Sequence, residues 1–257
     1  MVNAVDAADA SSPTGADSVK FSETWGSDAG FYLIMALVAA LLLLAGFAPS
    51  FYLKSVIHAP PPLSRLTMTH GVVFTAWMGI FVVQAALIRL RRPAVHRQLG
   101  ILGVILFGAM VSLALSTALT AGRLGHVPPG SPPPLAFMAL PIFALVGLMA
   151  TFGLAVWNRR RSDWHKRLMV ASFFMMTPPG THRLTVGAGF PQHGTSVSLA
   201  VAELLLAICA AYDLKTHGRV HPAYLVSAAV MAAVHVGVMW AYHSPAWLKF
   251  ATVLASS

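Results

Sequence analysis

The chain has 257 residues, of which 57% are hydrophobic and only 10% charged, and its formal net charge is +9. A water-soluble domain of this length needs a far more polar surface, so the composition excludes an ordinary soluble enzyme or binding module. It also excludes a nucleic-acid reader, because the basic residues sit in short connections between apolar blocks of about 20 residues, the length that crosses about 30 Å of hydrocarbon. Mean hydropathy is +0.71.

In chain order, residues 1–28 are polar, small and acidic, with no basic stretch leading into a short apolar core and cleavage site. They predict a disordered tail rather than a signal peptide. Seven apolar segments follow, at about 30–53, 67–89, 98–121, 135–157, 166–180, 195–213 and 222–242. The fifth is short and ends at Pro178-Pro179-Gly180, where the prolines break or kink a helix. The predicted fold is therefore an all-α polytopic membrane helix bundle of about seven transmembrane helices. Its domain spans 29–244, and 245–257 form a short C-terminal tail.

The basic residues set an orientation. Lys20, then Arg89, Arg91, Arg92 and Arg97, then Arg159, Arg160, Arg161, Lys166 and Arg167, then Lys215 and Arg219 fall on one side. Lys54, Arg65, Arg123, Arg183 and Lys249 fall on the other. The richer side is the cytoplasmic one, which puts the N-terminus inside and the C-terminus outside. The outer connections are proline-rich (APPPLS at 59–64, VPPGSPPP at 127–134), stiff and short of backbone donors.

Two cytoplasmic connections share a pattern: RRPAVHRQLG at 91–100 and RRSDWHKRLM at 160–169. KTHGRVHPAYL at 215–225 is a looser relative, so one helix plus three related hairpins is the expected organisation. Arg91, Arg92, Arg160 and Arg161 read as orientation signals, worth about 1 kcal/mol each against anionic headgroups. His96 and His165 belong to the same cytoplasmic interface, although an orientation signal needs no imidazole.

The outer half collects His58, His70, His126, His182, His193, His235 and His243. Glu203 lies in the middle of the sixth segment, and an ionisable group at that depth marks a site. Imidazole and carboxylate together are ligands for a transition metal, and paired imidazoles hold a haem b. His70, His182 and His235 are thus the candidate cofactor ligands, and His70, His235 and Glu203 the candidate metal set. Gln84 and Arg183 support them. No HExxH and no Cys/His pair at zinc spacing is present.

GFAPSFYL, HGVVFTAWMGIFVVQ, VHRQLG and WHKRLM, in that order over about residues 26–185, resemble a widespread group of uncharacterised bacterial inner-membrane proteins. The resemblance implies seven helices and carries no activity with it. The HKRLM element is also similar to small membrane proteins linked to haem–copper oxidase assembly, and the His-bearing helices are distantly similar to b-type cytochromes. The leading expectation is a redox-linked protein binding haem or a metal at an outer-half site. The alternatives are a proton-coupled small-solute transporter using Glu203, and a non-catalytic assembly subunit. The expected surroundings are the lipid bilayer, with a membrane-protein partner or a second copy. The orientation is directly testable: alkaline phosphatase fused after residue 257 is expected to be active and green fluorescent protein dark, and the reverse pattern refutes it.

Overall fold

The structure, a computed structural model, describes residues 15–57, 62–127 and 131–256, with side chains in the first helix from residue 28 onward. No strand occurs among the described residues. The segment 1–14 of the predicted tail, and His58, lie outside them, and from Gly15 the chain is already helical.

Helix α1 is Gly15–Phe47, prolonged by a π-turn over Ala48–Tyr52 that Leu53 closes onto the Ala48 carbonyl at 2.7 Å. A short α2, Lys54–Ile57, leads to α3, Arg65–Arg89, whose first turn is capped by the Ser64 hydroxyl accepting from Thr67 N–H at 3.1 Å. Helix α4 is Pro93–Leu124, with proline in its first turn and left-handed Gly125 (φ 69°) at its end. Next come α5, Pro134–Phe137, and α6, Ala139–Trp157. Then follow α7, Ser162–Phe174, α8, Pro178–Gly187, and α9, Gly194–His217, which stops at left-handed Gly218. Helix α10 is Pro222–His243. The residues read as a C-terminal tail form α11, Pro245–Ser256, which buries Trp247 and Ala251 and packs on α4 and α5.

Six stretches among the described residues are long and apolar enough to cross a membrane: 28–52, 65–89, 93–124, 134–157, 191–217 and 222–243. The protein is a multi-pass membrane helix bundle. The predicted fifth segment differs. It does not end at its prolines; it breaks there and resumes, so α7 and α8 together cover 162–187. The pair starts beside Asp28 and Asp213, at one end of the bundle, and finishes beside Gly46 and Gly194, at the other. It therefore runs the depth of the bundle, although its polar ends keep it from qualifying as an apolar span.

This broken element is the centre of the fold. From Arg167 to His182 every residue is buried except Met169 and Pro179, which are partly so. Around it sits an aromatic cluster of Trp77, Phe81, Phe107, Phe152 and Phe173, with Phe107 stacked on Phe152 at 3.9 Å and Phe81 tilted against Phe173 at 4.3 Å. The Trp77 indole N–H donates to the Gly103 carbonyl at 3.1 Å and so joins α3 to α4. A break inside such a core is tolerated only when its freed backbone groups find partners. The Phe174 carbonyl, which Pro178 leaves without its helical donor, accepts both the Thr177 hydroxyl at 2.7 Å and the Thr177 N–H at 3.0 Å.

Just past the break, α8 touches α1 backbone to backbone. A Cβ on Gly46 would stand 2.1 Å from the Gly180 carbonyl oxygen, so the glycine is required by contact, as in small-residue helix crossings generally. Gly46→Ala is expected to lower stability by about 1–3 kcal/mol, read as a drop in Tm in detergent. Gly79→Ala, at a position with open space around the added carbon, is expected to leave Tm unchanged.

Candidate functional site

The strongest polar interaction lies where α7 begins. The Arg167 guanidinium makes two parallel bonds to Asp213 on α9, Nε to Oδ2 at 2.7 Å and Nη2 to Oδ1 at 2.9 Å, and Nη1 donates to the Asp163 carbonyl at 2.9 Å. Arg167 is 4% exposed and Asp213 1%. The Tyr224 ring lies 5.9 Å from the guanidinium, and the Tyr224 and Tyr32 hydroxyls are hydrogen-bonded at 2.8 Å. Around this pair runs a second tier. Buried Asp28 on α1 takes the Lys166 ammonium, the Tyr212 hydroxyl at 3.2 Å and His217 Nε2 at 3.3 Å. At the rim, His221 Nε2 stands 3.2 Å from Asp163 Oδ2. Burial depresses the proton affinity of His221; the bond to Asp163 opposes this, and the net shift is downward.

Sequence reasoning missed this network. It ended the sixth segment at residue 213, which left Glu203 as the lone membrane carboxylate. Helix α9 continues to His217, so Asp213 lies a turn inside it. Gly218, a residue suited to ending helices, was the signal that the helix runs on. Lys166 and Arg167, counted as orientation signals, are ion-pair partners within the bundle.

The two echoed stretches meet in space. Each begins within a short connection, 90–92 before α4 and 158–161 before α7, and in each the histidine is the fourth residue of the new helix. His165 Nδ1 lies 2.8 Å from the Ala155 carbonyl and His96 Nδ1 3.4 Å from the Gln84 carbonyl, so each ring reaches back to the helix that precedes it. Their centroids are 6.2 Å apart. Arg91, Arg92, Arg160 and Arg161 are exposed around them. His221, in the looser third relative, does something else: its Nδ1 caps its own helix by accepting from Ala223 N–H at 3.1 Å. The third hairpin therefore does not repeat the device.

At the opposite end, His182 is 2% exposed and neither ring nitrogen makes a hydrogen bond. The backbone of Gly194 lies against it, so close that a Cβ there would come within 2.7 Å of the ring. His70 Nδ1 is likewise buried without a partner, its ring 4.7 Å from that of Phe74. Arg183 stands over the Phe47 ring at 4.3 Å, donates to the Pro179 carbonyl at 3.0 Å, and acts electrostatically on both histidines.

His235 is elsewhere. Its Nδ1 is 2.8 Å from Glu203 Oε1, across α9 and α10, with the two side chains 32% and 42% exposed on the flank of the bundle. Glu203 lines a cavity of about 20 Å³ together with Met231 and, from the broken helix, Met175 and Pro178, which is room for about one water. His70 does not join this pair. Among the described residues no three His, Cys, Asp or Glu side chains gather where one ion could be held.

A haem needs a cavity of about 300–1,000 Å³ beside its ligands. The space between the two histidine-bearing ends is filled by the Trp77 and Phe173 cluster. A pocket of about 570 Å³ does exist, between α4, α5 and α11, but no histidine lines it. Among the described residues, neither of these cavities sets a histidine beside room for a haem.

Comparison of the chain with protein-family models, with curated proteins and with solved structures finds no match in any of the three.

The ion-pair network makes a sharp stability prediction. Asp213→Asn strands a buried guanidinium and is expected to cost about 3–5 kcal/mol, whereas the double change Arg167→Met with Asp213→Leu removes both charges and restores most of the loss. Denaturation in detergent reads both. A double variant no more stable than the single one refutes the assignment.

Proposed function

We propose that this protein is a proton-coupled carrier of a small solute, embedded in a bacterial inner membrane, with Glu203 as the carboxylate that gains and loses the proton. The observation that carries this reading is the Glu203–His235 bond beside the break between α7 and α8. A carboxylate in the apolar part of a span is costly and is retained for function. Interrupted helices, for their part, are where carriers place their solute and ion sites.

The chemistry follows from the pair. With Glu203 ionised, a protonated His235 neutralises it, and the pair holds α9 to α10. Protonating Glu203 while His235 keeps its proton removes the attraction between opposite charges and leaves the pair with a net charge of +1, joined only by the hydrogen bond between imidazolium and carboxylic acid. Glu203 shares a small cavity with Met175 and Pro178, so this change falls where the central helix is interrupted. At the outer end of that helix, His70, His182 and Arg183 present nitrogen donors without a carboxylate among them, a setting suited to a solute carrying an anionic group. The haem-binding alternative lacks the space it needs, and the outer metal set lacks a third ligand.

The test is proton movement in proteoliposomes with a trapped pH dye, challenged with a panel of small anionic, neutral and cationic solutes under an imposed pH gradient. Wild type is expected to move protons with a subset of the anions, and Glu203→Gln to lower that flux at least tenfold. Absence of solute-dependent proton movement across the panel, or a Glu203→Gln flux equal to wild type, overturns the reading.

A further inference from the structure

The structure assigns a second site, at the other end of the bundle from the histidines discussed above: we propose that His96 and His165 together bind one monovalent copper ion. The inference starts from what the two rings use and what they leave free. In each, Nδ1 faces a backbone carbonyl, Gln84 for His96 and Ala155 for His165. Nδ1 therefore carries the proton and donates, and Nε2 keeps its lone pair. This is the arrangement in which protein histidines present themselves to metals, with the outer nitrogen fixed by a carbonyl or carboxylate.

Tying one helix to its predecessor would need only Nδ1, and would not need the two rings to come together. Yet they do, from segments far apart in the chain, with centroids 6.2 Å apart and planes at 84°. Two imidazole nitrogens on opposite sides of one ion, each at about 2.0–2.1 Å, are about 4 Å apart, and adding the two ring radii brings the centroids to a little over 6 Å. A tetrahedral angle at the ion would bring them about an ångström closer. The observed centroid spacing leaves room for one ion between the two rings in a nearly linear arrangement.

Charge selects among the metals that imidazole suits. Arg91, Arg92, Arg97, Arg160 and Arg161 flank the pair and no carboxylate completes it. Adding a dication to that field is penalised about twice as much as adding a monocation. A divalent ion also asks for four or more ligands, of which the protein supplies two. A monovalent copper ion is satisfied by two neutral nitrogens. A further polar atom lies nearby. Gln84, whose carbonyl receives His96, has a buried side-chain oxygen without a partner, and its amide nitrogen lies 3.2 Å from where a Cβ on Gly100, one turn along α4 from His96, would stand. Gly100 thus leaves room for that amide on the His96 face of α4.

The experiment uses the full chain in detergent under anaerobic conditions, titrated with Cu(I) in competition with bathocuproine disulfonate. Wild type is expected to withdraw one equivalent. His96→Ala and His165→Ala are each expected to lower the affinity at least a hundredfold, with His182→Ala and His235→Ala unchanged. Because a lost backbone tie could perturb folding, X-ray absorption of the Cu(I)-loaded wild type provides a second readout, with two imidazole nitrogens and no sulfur expected. No competitive withdrawal by wild type, equal affinity in the His96 and His165 variants, or sulfur ligation from methionine overturns the proposal. The readout involves neither Glu203 nor solute movement, so its failure is distinct from failure of the carrier reading.

Discussion

Removing a guanidinium and a carboxylate from water costs several kcal/mol per ion, and only a fully bonded geometry offsets it. The Arg167–Asp213 pair meets that condition with two bonds between the charged groups and a third to the Asp163 carbonyl. It therefore sets a narrow tolerance on how α7 and α9 sit. Once the start of α7 is held there, Lys166 on the next residue falls against Asp28 of α1, and Tyr224 of α10 lies beside the guanidinium. Four helices are thus placed by one pair and its neighbours. An apolar core alone would bring them together without choosing their register, because lipid is as apolar as leucine and gives helices little reason to prefer one contact over another.

That anchoring explains how a helix with two adjacent prolines can occupy the most enclosed position in the bundle. Its first half is tied by charge and its second half by the close approach of Gly180 to Gly46. Between them, the Phe174 carbonyl that Pro178 leaves without a helical donor is bonded by both the hydroxyl and the N–H of Thr177. Glu203, bonded to His235, lines a small cavity at that joint together with Met175 and Pro178.

The repeated Arg-Arg-x-x-x-His pattern joins two kinds of role. The arginines remain exposed, as orientation signals do, while the histidines fold inward to bond the helix before them. Two short turns of the same construction thereby become two arms of one feature. Orientation alone accounts for neither the imidazole nor its placement on the fourth residue of each new helix.

Much of this was readable along the chain because helices in lipid must satisfy their own backbone bonds and span a set thickness. Length and apolarity therefore located the 65–89, 134–157 and 222–243 crossings to within a few residues, and proline, serine and glycine marked their ends. Glu203 stood out for the same reason, as a charge within an apolar run. The fifth segment extends further than its prolines suggest, since α7 ends before them and a new helix starts at Pro178, a first-turn position where proline loses no helical bond. Asp28 and Asp213 were not legible, because each lies near a predicted helix end, where a carboxylate is unremarkable until its partner is known. Which histidines meet was also beyond one-dimensional reading: His235 joins Glu203 and not His70, and His96 joins His165, because helix rotation about its own axis is set by neighbours. Local sequence determines that a segment is a membrane helix; only the packed bundle determines which of its faces another charged or imidazole side chain will meet.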